Sequence, residues 1–189
     1  LSTLGVTLND LSAETLSPIL LYHVLDTSVP SSQVTSGYVA TLSTAFGKNM
    51  SLQLSTTSGV KLNNSANVVA VDVVATNGII HAIDKVVLPP TVVDLALQNG
   101  AFSTLVEAVV KADLVGALSA AGPFTVFAPT NDAFNALFTT LGVSGVAALT
   151  KDQLTPILLA HVVSGNVQSG DLTSGSVPTL NSAKSLNIV

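Results

Sequence analysis

Residues 124–134 read FTVFAPTNDAF, and this stretch decides the fold of the second half of the chain. Its apolar start, FTVFA, predicts a buried strand because it is short and rich in β-branched and aromatic residues. Pro129 and the polar residues after it start a helix, in which Thr130 or Asn131 caps the first free amides. Asp132 favours the positive end of the helix dipole. The segment therefore predicts a buried strand that leads directly into a capped helix.

The chain also contains an internal repeat, with one copy before this strand and helix and one copy after them. Residues 11–24 read LSAETLSPILLYHV and residues 149–162 read LTKDQLTPILLAHV, so eight of the fourteen positions are identical. A shorter match, TLGV, occurs at residues 3–6 and again at residues 140–143. The two copies are 137 to 138 residues apart, which is the length of a domain and not the period of a solenoid.

The phase of the repeat predicts two partial domains. Pro89-Pro90 is the natural boundary, because paired prolines suit an extended linker and stop a strand. Residues 1–92 are then the C-terminal part of one domain, and residues 93–189 the N-terminal part of the next. Two arrangements stay open: the missing parts lie outside these residues in a longer array, or neighbouring chains complete each other and build a fibre.

Capping signals place short helices in both copies of the repeat. Thr150 and Gln153 have the spacing of a capping box. Ser17-Pro18 and Thr155-Pro156 each place a cap residue before a proline that suits a first helical turn. The apolar segments after these prolines predict short, buried helices.

The rest of the first copy predicts β structure. Residues 68–76 form an apolar run that meets Asn77-Gly78, the strongest short hairpin signal, and residues 79–88 form the return strand. Helices come first in the repeat and strands dominate later. This order predicts an α+β domain with a β-sandwich or wedge core.

These landmarks resemble the fasciclin domain family. FTVFAPTNDAF at residues 124–134 is similar to the first signature block of that family, and NGIIHAIDKVVLP at residues 77–89 to its closing block. ILLYHV at residues 19–24 resembles the segment between them. The resemblance implies a wedge of two β-sheets with several short helices, in tandem repeats. It also implies an extracellular adhesion or matrix role, with no catalytic activity common to the family.

The same resemblance implies that Tyr22 and His23 contact a partner protein. On the residues alone, Tyr22 is an aromatic side chain beside a buried helix end, which favours core packing instead. The second copy departs from the pattern, because Ala160 replaces the tyrosine. Any contact that needs both side chains would therefore come from the first copy only. The first copy also lacks an opening block, and the second copy lacks a closing block.

Composition and charge exclude several partners. Six lysines, no arginines and eleven acidic residues give a net charge of −5. Nucleic acid and anionic lipid both require clustered basic residues, which this sequence lacks. No apolar run approaches the roughly 18 residues of a spanning helix, so we expect no transmembrane segment here. Without an initiator Met or a signal peptide, we expect a mature chain, a processed chain or a segment of a longer one.

Catalysis and metal binding find little support in the sequence. Cysteine is absent, and His23, His81 and His161 each stand alone in an apolar run, which favours structural histidines over metal ligands. A Ser-His-Asp hydrolase lacks both a GxSxG elbow and a glycine-rich oxyanion loop. We therefore expect no enzyme activity, no cofactor and no metal.

Two sequons complete the candidate sites. Asn49-Met50-Ser51 and Asn63-Asn64-Ser65 place candidate N-glycosylation sites at Asn49 and Asn63, as expected of surface loops in a secreted protein. We expect a secreted or cell-surface adhesion, matrix or fibre-forming protein whose partners are other copies of itself or other extracellular and cell-surface proteins. The alternative is a small-molecule or glycan binding module.

Overall fold

The computed structural model describes residues 11–189, so the repeat at residues 3–6 lies outside the described part. The chain divides into two compact units, Leu1–Pro89 and Pro90–Val189, which are called here the first and second units. The division falls between the two prolines at which an extended linker is expected. Each unit is described by itself.

The described part of the first unit begins with the α-helix α1 (Ala13–Tyr22). Ser12 caps it, with its side chain accepting a hydrogen bond from the Thr15 amide. The predicted start at Ser17-Pro18 is wrong, because Pro18 lies inside the helix. The carbonyl that loses its partner to this proline belongs to Glu14, which is exposed and accessible to water. The predicted start at Thr155-Pro156 in the second unit is also wrong, because Pro156 lies inside its helix.

An antiparallel sheet of five strands follows α1, and its strands pair in sequence order. Its members are β1 (Gly37–Ala45), β2 (Lys48–Ser55), β3 (Lys61–Leu62), β4 (Ala66–Ala75) and β5 (Gly78–Ile83). Sequential pairing of this kind needs only short connections, since antiparallel neighbours can be joined by tight turns.

Two tight turns define the register of this sheet. Ala75 pairs with Gly78, which confirms a hairpin here but makes Thr76 and Asn77 the turn residues in place of the predicted Asn77-Gly78, and β5 ends at Ile83 and does not continue to Leu88. The turn between β1 and β2 uses Phe46 and Gly47, with φ angles of 52° and 76°. Positive φ at both central residues is the type I′ pattern, whose twist matches the flanking strands.

The second unit contains five helices and two pairs of short strands. Its helices are α2 (Val92–Leu97), α3 (Ser103–Lys111), α4 (Val115–Leu118), α5 (Asn131–Leu141) and α6 (Lys151–Leu159). Its strands are β6 (Phe124–Val126) paired with β7 (Val162–Ser164), and β8 (Gly175–Pro178) paired with β9 (Ser185–Ile188). The predicted strand at residues 124–126, the Thr130 cap of α5 and the Thr150–Gln153 capping box are all confirmed.

The two units differ in how much core they bury. The core of the second unit has twelve buried residues: Leu105, Ala108, Val109, Ala112, Leu118, Phe134, Phe138, Val146, Leu149, Leu154, Leu158 and Val162. The core of the first unit has five among residues 11–89: Tyr22, Leu52, Leu54, Ala66 and Val87. Sheets and helices occur in both units, so the α+β prediction is confirmed. The small first core leaves a large apolar surface, which carries the candidate site.

Candidate functional site

The C-terminal end of α1 holds the predicted Tyr22-His23 pair in two different environments. Tyr22 is fully buried, and its hydroxyl donates to the Ser51 carbonyl at 2.8 Å and accepts from the Asn63 side chain at 3.1 Å. Burial raises the pKa of Tyr22. The side chain therefore joins α1 to the sheet and does not reach the surface of the unit. Its predicted contact with a partner remains a prediction.

His23 connects the end of α1 to the chain just before the proline pair. Its Nδ1 lies 2.7 Å from the Ile19 carbonyl, and the Val87 amide donates to its Nε2 at 3.1 Å. A carbonyl can only accept, so the ring hydrogen is on Nδ1 and Nε2 is the acceptor. The neutral ring thus fixes the backbone of residue 87 by one hydrogen bond.

The second unit repeats this geometry at His161. Its Nδ1 lies 2.8 Å from the Ile157 carbonyl, which matches the contact between His23 and Ile19. The carbonyl of Val162 accepts from the Leu180 amide at 2.7 Å, as the Val24 carbonyl accepts from the Leu42 amide at 2.8 Å. The sequence repeat is therefore also a repeat of hydrogen bonds.

The two copies differ at the next residue. Val24 is 44% exposed in the first unit, whereas its counterpart Val162 is 2% exposed in the second. In the second unit, β6 pairs with the strand that contains Val162, and side chains of α2 and α3 lie beside it. In the described part of the first unit, no strand pairs with residues 24–26. Residues 11–89 of the first unit therefore leave exposed a face whose counterpart is covered in the second unit.

This open face borders a cavity of about 490 Å³ in the first unit. Most of its lining is apolar, and the polar side chains are His23, His81, Thr27 and Ser31. The apolar lining residues are Val24, Leu25, Val29, Val34, Leu52, Leu54, Val60, Leu62, Val68, Val71, Ile79, Ile80 and Ile83. A volume in this range matches ligand pockets or the side chains of one docked segment.

Ser31, Asp72 and His81 meet at the rim of this cavity, a grouping that the sequence did not reveal. The backbone amide and the hydroxyl of Ser31 both donate to the Asp72 carboxylate, the amide at 2.8 Å. His81 Nε2 lies 2.8 Å from the Val29 carbonyl, and the Asp72 amide approaches its Nδ1 at 3.4 Å. The serine donates to the carboxylate and not to the imidazole, so Ser31 and His81 do not form the serine–histidine pair of a hydrolase.

Asp72 gives the first unit a predictable response to acid. The Ser31 hydroxyl and then the Ser31 amide lower the pKa of Asp72, because both hydrogen bonds favour the charged carboxylate. A lowered pKa in the folded state contributes stability above the ordinary aspartate value near pH 4. That contribution is lost as the pH falls through the lowered value. Asp84 behaves in the same way, since the side chain and amide of Asn67 lower its pKa.

We therefore expect Asp72→Asn to flatten the fall in stability of the first unit below about pH 4, because asparagine does not titrate. Ser31→Ala should give an intermediate slope, since it removes the hydroxyl donor and keeps the amide. Urea denaturation followed by circular dichroism between about pH 2.5 and 6 measures the slopes. Identical slopes in the parent and Asp72→Asn would contradict the assignment.

Comparison with known proteins decides the family. A sequence model of the fasciclin domain matches residues 3–89 and 100–188, which together are most of the chain. The chain belongs to the fasciclin family. It carries two matches to the fasciclin domain, one on each side of the proline pair.

Relatives of this fasciclin chain occur in bacteria and animals. Protein sll1483 of Synechocystis sp. is 53% identical over 90 residues, covering 48% of this chain and 50% of the relative. Human periostin is 35% identical over 177 residues, covering 90% of this chain and 19% of the relative. The transforming growth factor-beta-induced protein ig-h3 of Sus scrofa is 34% identical over 172 residues, covering 89% and 23%. The chain thus spans half or less of each of these proteins.

A solved structure with the same domain type is a FAS1 domain pair from the insect cell adhesion molecule fasciclin I. It aligns with a TM-score of 0.49 and 18% identity, covering 92% of this fasciclin chain and 67% of the other.

The two sequons of this fasciclin chain lie in different settings. Asn49 is exposed in β2, with its side-chain amide donating to the Thr41 carbonyl at 2.6 Å. Asn63 is 6% exposed, donates to Tyr22 and accepts from the Gln53 amide at 3.1 Å. A glycan on Asn63 would compete with both contacts, so Asn49 is the more accessible of the two candidates. Their use remains a prediction.

Residues 11–189 include neither a metal-binding cluster nor a membrane-spanning helix. This part of the chain contains no group of three or more His, Cys, Asp or Glu side chains arranged to hold a metal ion. None of its helices has the length and apolar character needed to cross a membrane.

Proposed function

We propose that this chain is a secreted or cell-surface adhesion or matrix module, without enzyme activity, that associates through exchange of segments between fasciclin domains. Membership of the fasciclin family supports the general role. The Ser31 hydroxyl donates to the Asp72 carboxylate and not to a histidine, which argues against a Ser-His-Asp hydrolase.

The contrast between Val24 and Val162 carries the proposal of segment exchange. These residues are equivalent in the repeat, yet one is 44% exposed and the other 2%. In the second unit, the covering elements are β6 and the helices α2 and α3. An apolar strand or helix of this kind, donated by another fasciclin domain, would cover Val24 and fill the cavity beside it. Burial of this apolar surface provides the driving force.

The exchanged segment can be shorter than half of a fasciclin domain. Each unit has its own copy of the central helix, α1 in one and α6 in the other. Two units that merged completely would place both helices at the same position. A donated end segment avoids this conflict, and it leaves each core in place. The proposal is therefore exchange of short segments, as in strand addition.

Val24→Glu tests this proposal. A carboxylate at the mouth of an apolar cavity opposes docking of an apolar segment, so we expect the self-association constant to fall by at least about tenfold. Sedimentation velocity over a range of concentrations measures it, and circular dichroism checks folding.

Val69→Glu is the matched control for that variant. Val69 is 65% exposed on β4 and does not line the cavity. The Val69→Glu substitution should leave the self-association constant unchanged if docking occurs at the cavity. Equal loss in both variants would indicate general adhesion of the apolar sheet surface and would contradict segment exchange. A parent chain that is monomeric at all concentrations and binds neither cells nor matrix would contradict the adhesion role itself.

The cavity also favours a second candidate function, which is binding of a small apolar molecule. Its volume of about 490 Å³ and its mostly apolar lining suit such a ligand better than a glycan. The fluorescent probe 1-anilinonaphthalene-8-sulfonate should then bind the monomer with a stoichiometry of one. Loss of this binding in Val24→Glu but not in Val69→Glu would locate it at the cavity.

A further inference from the structure

We infer that Met50 is an oxidation site of the first unit, where a peroxide converts the thioether to a sulfoxide that Ser43 then holds by a hydrogen bond. The inference goes beyond the proposed adhesion role and does not depend on it. It is carried by the composition of the chain and by the contact between these two side chains, which lie on the neighbouring strands β1 and β2.

Met50 carries the one sulfur atom of this sequence. The sequence contains a single methionine and no cysteine. Thiolates and thioethers are the side-chain groups that two-electron oxidants convert to oxygenated forms in proteins. A peroxide that meets this chain therefore has one sulfur atom to react with, and no thiol competes for it.

A β-bulge places Met50 beside two buried hydroxyl groups. The register between β1 and β2 shifts here, so residues 41–43 lie opposite Met50 alone. The Thr41 hydroxyl donates to the Met50 carbonyl at 3.0 Å, and the Ser43 hydroxyl donates to Met50 Sδ at 3.7 Å. Thr41 and Ser43 are both 0% exposed. The bulge thus holds the methionine by its backbone and its sulfur.

The second unit repeats the backbone contact of this bulge with a different pair of side chains. The Thr179 hydroxyl donates to the Lys184 carbonyl at 2.8 Å, which matches the contact from Thr41 to Met50. Lys184 thus stands where the first unit has Met50, and Asn181 stands where it has Ser43. The hydroxyl-to-carbonyl contact is common to both units, whereas the pair of methionine and serine belongs to the first. The fold of the hairpin therefore does not require this pair.

Oxidation of Met50 takes one oxygen atom from the peroxide and releases water. A lone pair of Sδ attacks one oxygen of hydrogen peroxide and the O–O bond breaks. The departing hydroxide then removes the proton from the transferred oxygen and leaves as water, so the sulfur is oxidised and the peroxide is reduced. The Met50 side chain is half-buried, which leaves part of it accessible to a small oxidant from solvent.

Ser43 determines how well the folded unit accepts the sulfoxide. Among residues 11–189, Met50 Sδ is the one hydrogen-bond partner of the Ser43 hydroxyl. A thioether sulfur is a weak acceptor. A sulfoxide oxygen is a stronger one, and the flexible methionine side chain can turn it toward this hydroxyl. Ser43 therefore limits the damage that the product causes.

Oxidation still destabilises the first unit, because Met50 packs against its five-residue core. The sulfoxide is polar, and a polar group in an apolar site disrupts packing. The same core contains Tyr22, whose hydroxyl donates to the carbonyl of the residue that follows Met50. We therefore expect the oxidised first unit to open more readily than the reduced one.

Treatment of the full chain with hydrogen peroxide tests the inference. The intact mass should rise by one oxygen atom, and peptide mapping should locate this atom on Met50. We expect oxidation to raise the unfolding equilibrium constant of the first unit by about tenfold in the parent and by roughly a hundredfold in Ser43→Ala, where the sulfoxide has lost its donor. Hydrogen exchange at the amides of β1 and β2 measures this constant. Methionine sulfoxide reductase should restore the starting value.

Two further variants separate the role of the Ser43 hydroxyl from a general effect of peroxide. Ser51→Ala removes an exposed hydroxyl from the next residue of β2, so oxidation should cost this variant as much as it costs the parent. Met50→Leu keeps an apolar side chain of similar volume and should not respond to peroxide. Equal effects of oxidation in Ser43→Ala and the parent would overturn the role of Ser43. A folded chain that peroxide leaves unmodified would overturn the oxidation site, while the proposed adhesion role would still hold.

Discussion

Leu154→Ala is expected to lower the free energy of unfolding of the second unit by about 3 to 5 kcal/mol. Leu154 is 1% exposed and belongs to the twelve-residue core of that unit. Removal of its side chain takes away buried apolar contacts and leaves a cavity that the surrounding helices fill only in part. Domains of this size have a net stability of about 5 to 15 kcal/mol, so Leu154→Ala removes a large part of the stability of the second unit.

Leu141→Ala is the matched control for this substitution. Leu141 also lies in a helix, but it is 48% exposed at the end of α5. The same deletion there should cost less than about 1 kcal/mol. Hydrogen exchange at the amides of α3 and α6 measures the effect within the second unit, and urea denaturation measures the total. Similar losses in the two variants would mean that Leu154 is not in the core.

The sequence predicts the elements that local signals specify. Thr130 and Thr150 carry cap hydrogen bonds, and these depend on a polar side chain a few residues before a helix. The hairpin between β4 and β5 is local as well, although its turn residues are Thr76 and Asn77 and not the predicted Asn77-Gly78. Each of these features involves neighbours in sequence, so the pattern of residue types is sufficient to predict it.

Other features depend on contacts that the sequence pattern does not contain. Pro18 lies inside α1, because an exposed carbonyl can bond to water in place of the missing amide. The turn at Phe46-Gly47 places a bulky residue at positive φ, which residue preferences alone oppose. The strands on both sides of that turn supply the pairing that holds it.

The candidate site was the least predictable part, for a related reason. Ser31 and Asp72 are 41 residues apart, and His23 and Val87 are 64 apart. Isolated polar residues in apolar runs gave no signal that they would meet. The repeat could have shown that His23 and His161 are equivalent, but not that their surroundings differ, with the Val87 amide donating to His23. That difference appears only when the backbone around each ring is placed.

Tyr22→Ala is the second substitution with a large expected effect, and it separates two roles of the Tyr22-His23 pair. Tyr22 is completely buried, so loss of the ring should destabilise the first unit by about 3 to 5 kcal/mol. Tyr22→Phe keeps the ring and removes the hydroxyl. It should cost about 1 to 3 kcal/mol, because the Ser51 carbonyl and the buried Asn63 amide both lose their partner.

Tyr38, the other tyrosine of the chain, provides the matched control for Tyr22→Phe. Tyr38 is 54% exposed on β1, so Tyr38→Phe should change the free energy of unfolding by less than about 0.5 kcal/mol. Urea denaturation of the three variants, beside an assay of adhesion to cells, distinguishes the roles. If Tyr22 acts through the core, Tyr22→Phe loses stability and keeps its adhesion under conditions where it is folded. Unchanged stability with lost adhesion would instead assign the tyrosine to a partner contact, which would require α1 to move away from the sheet.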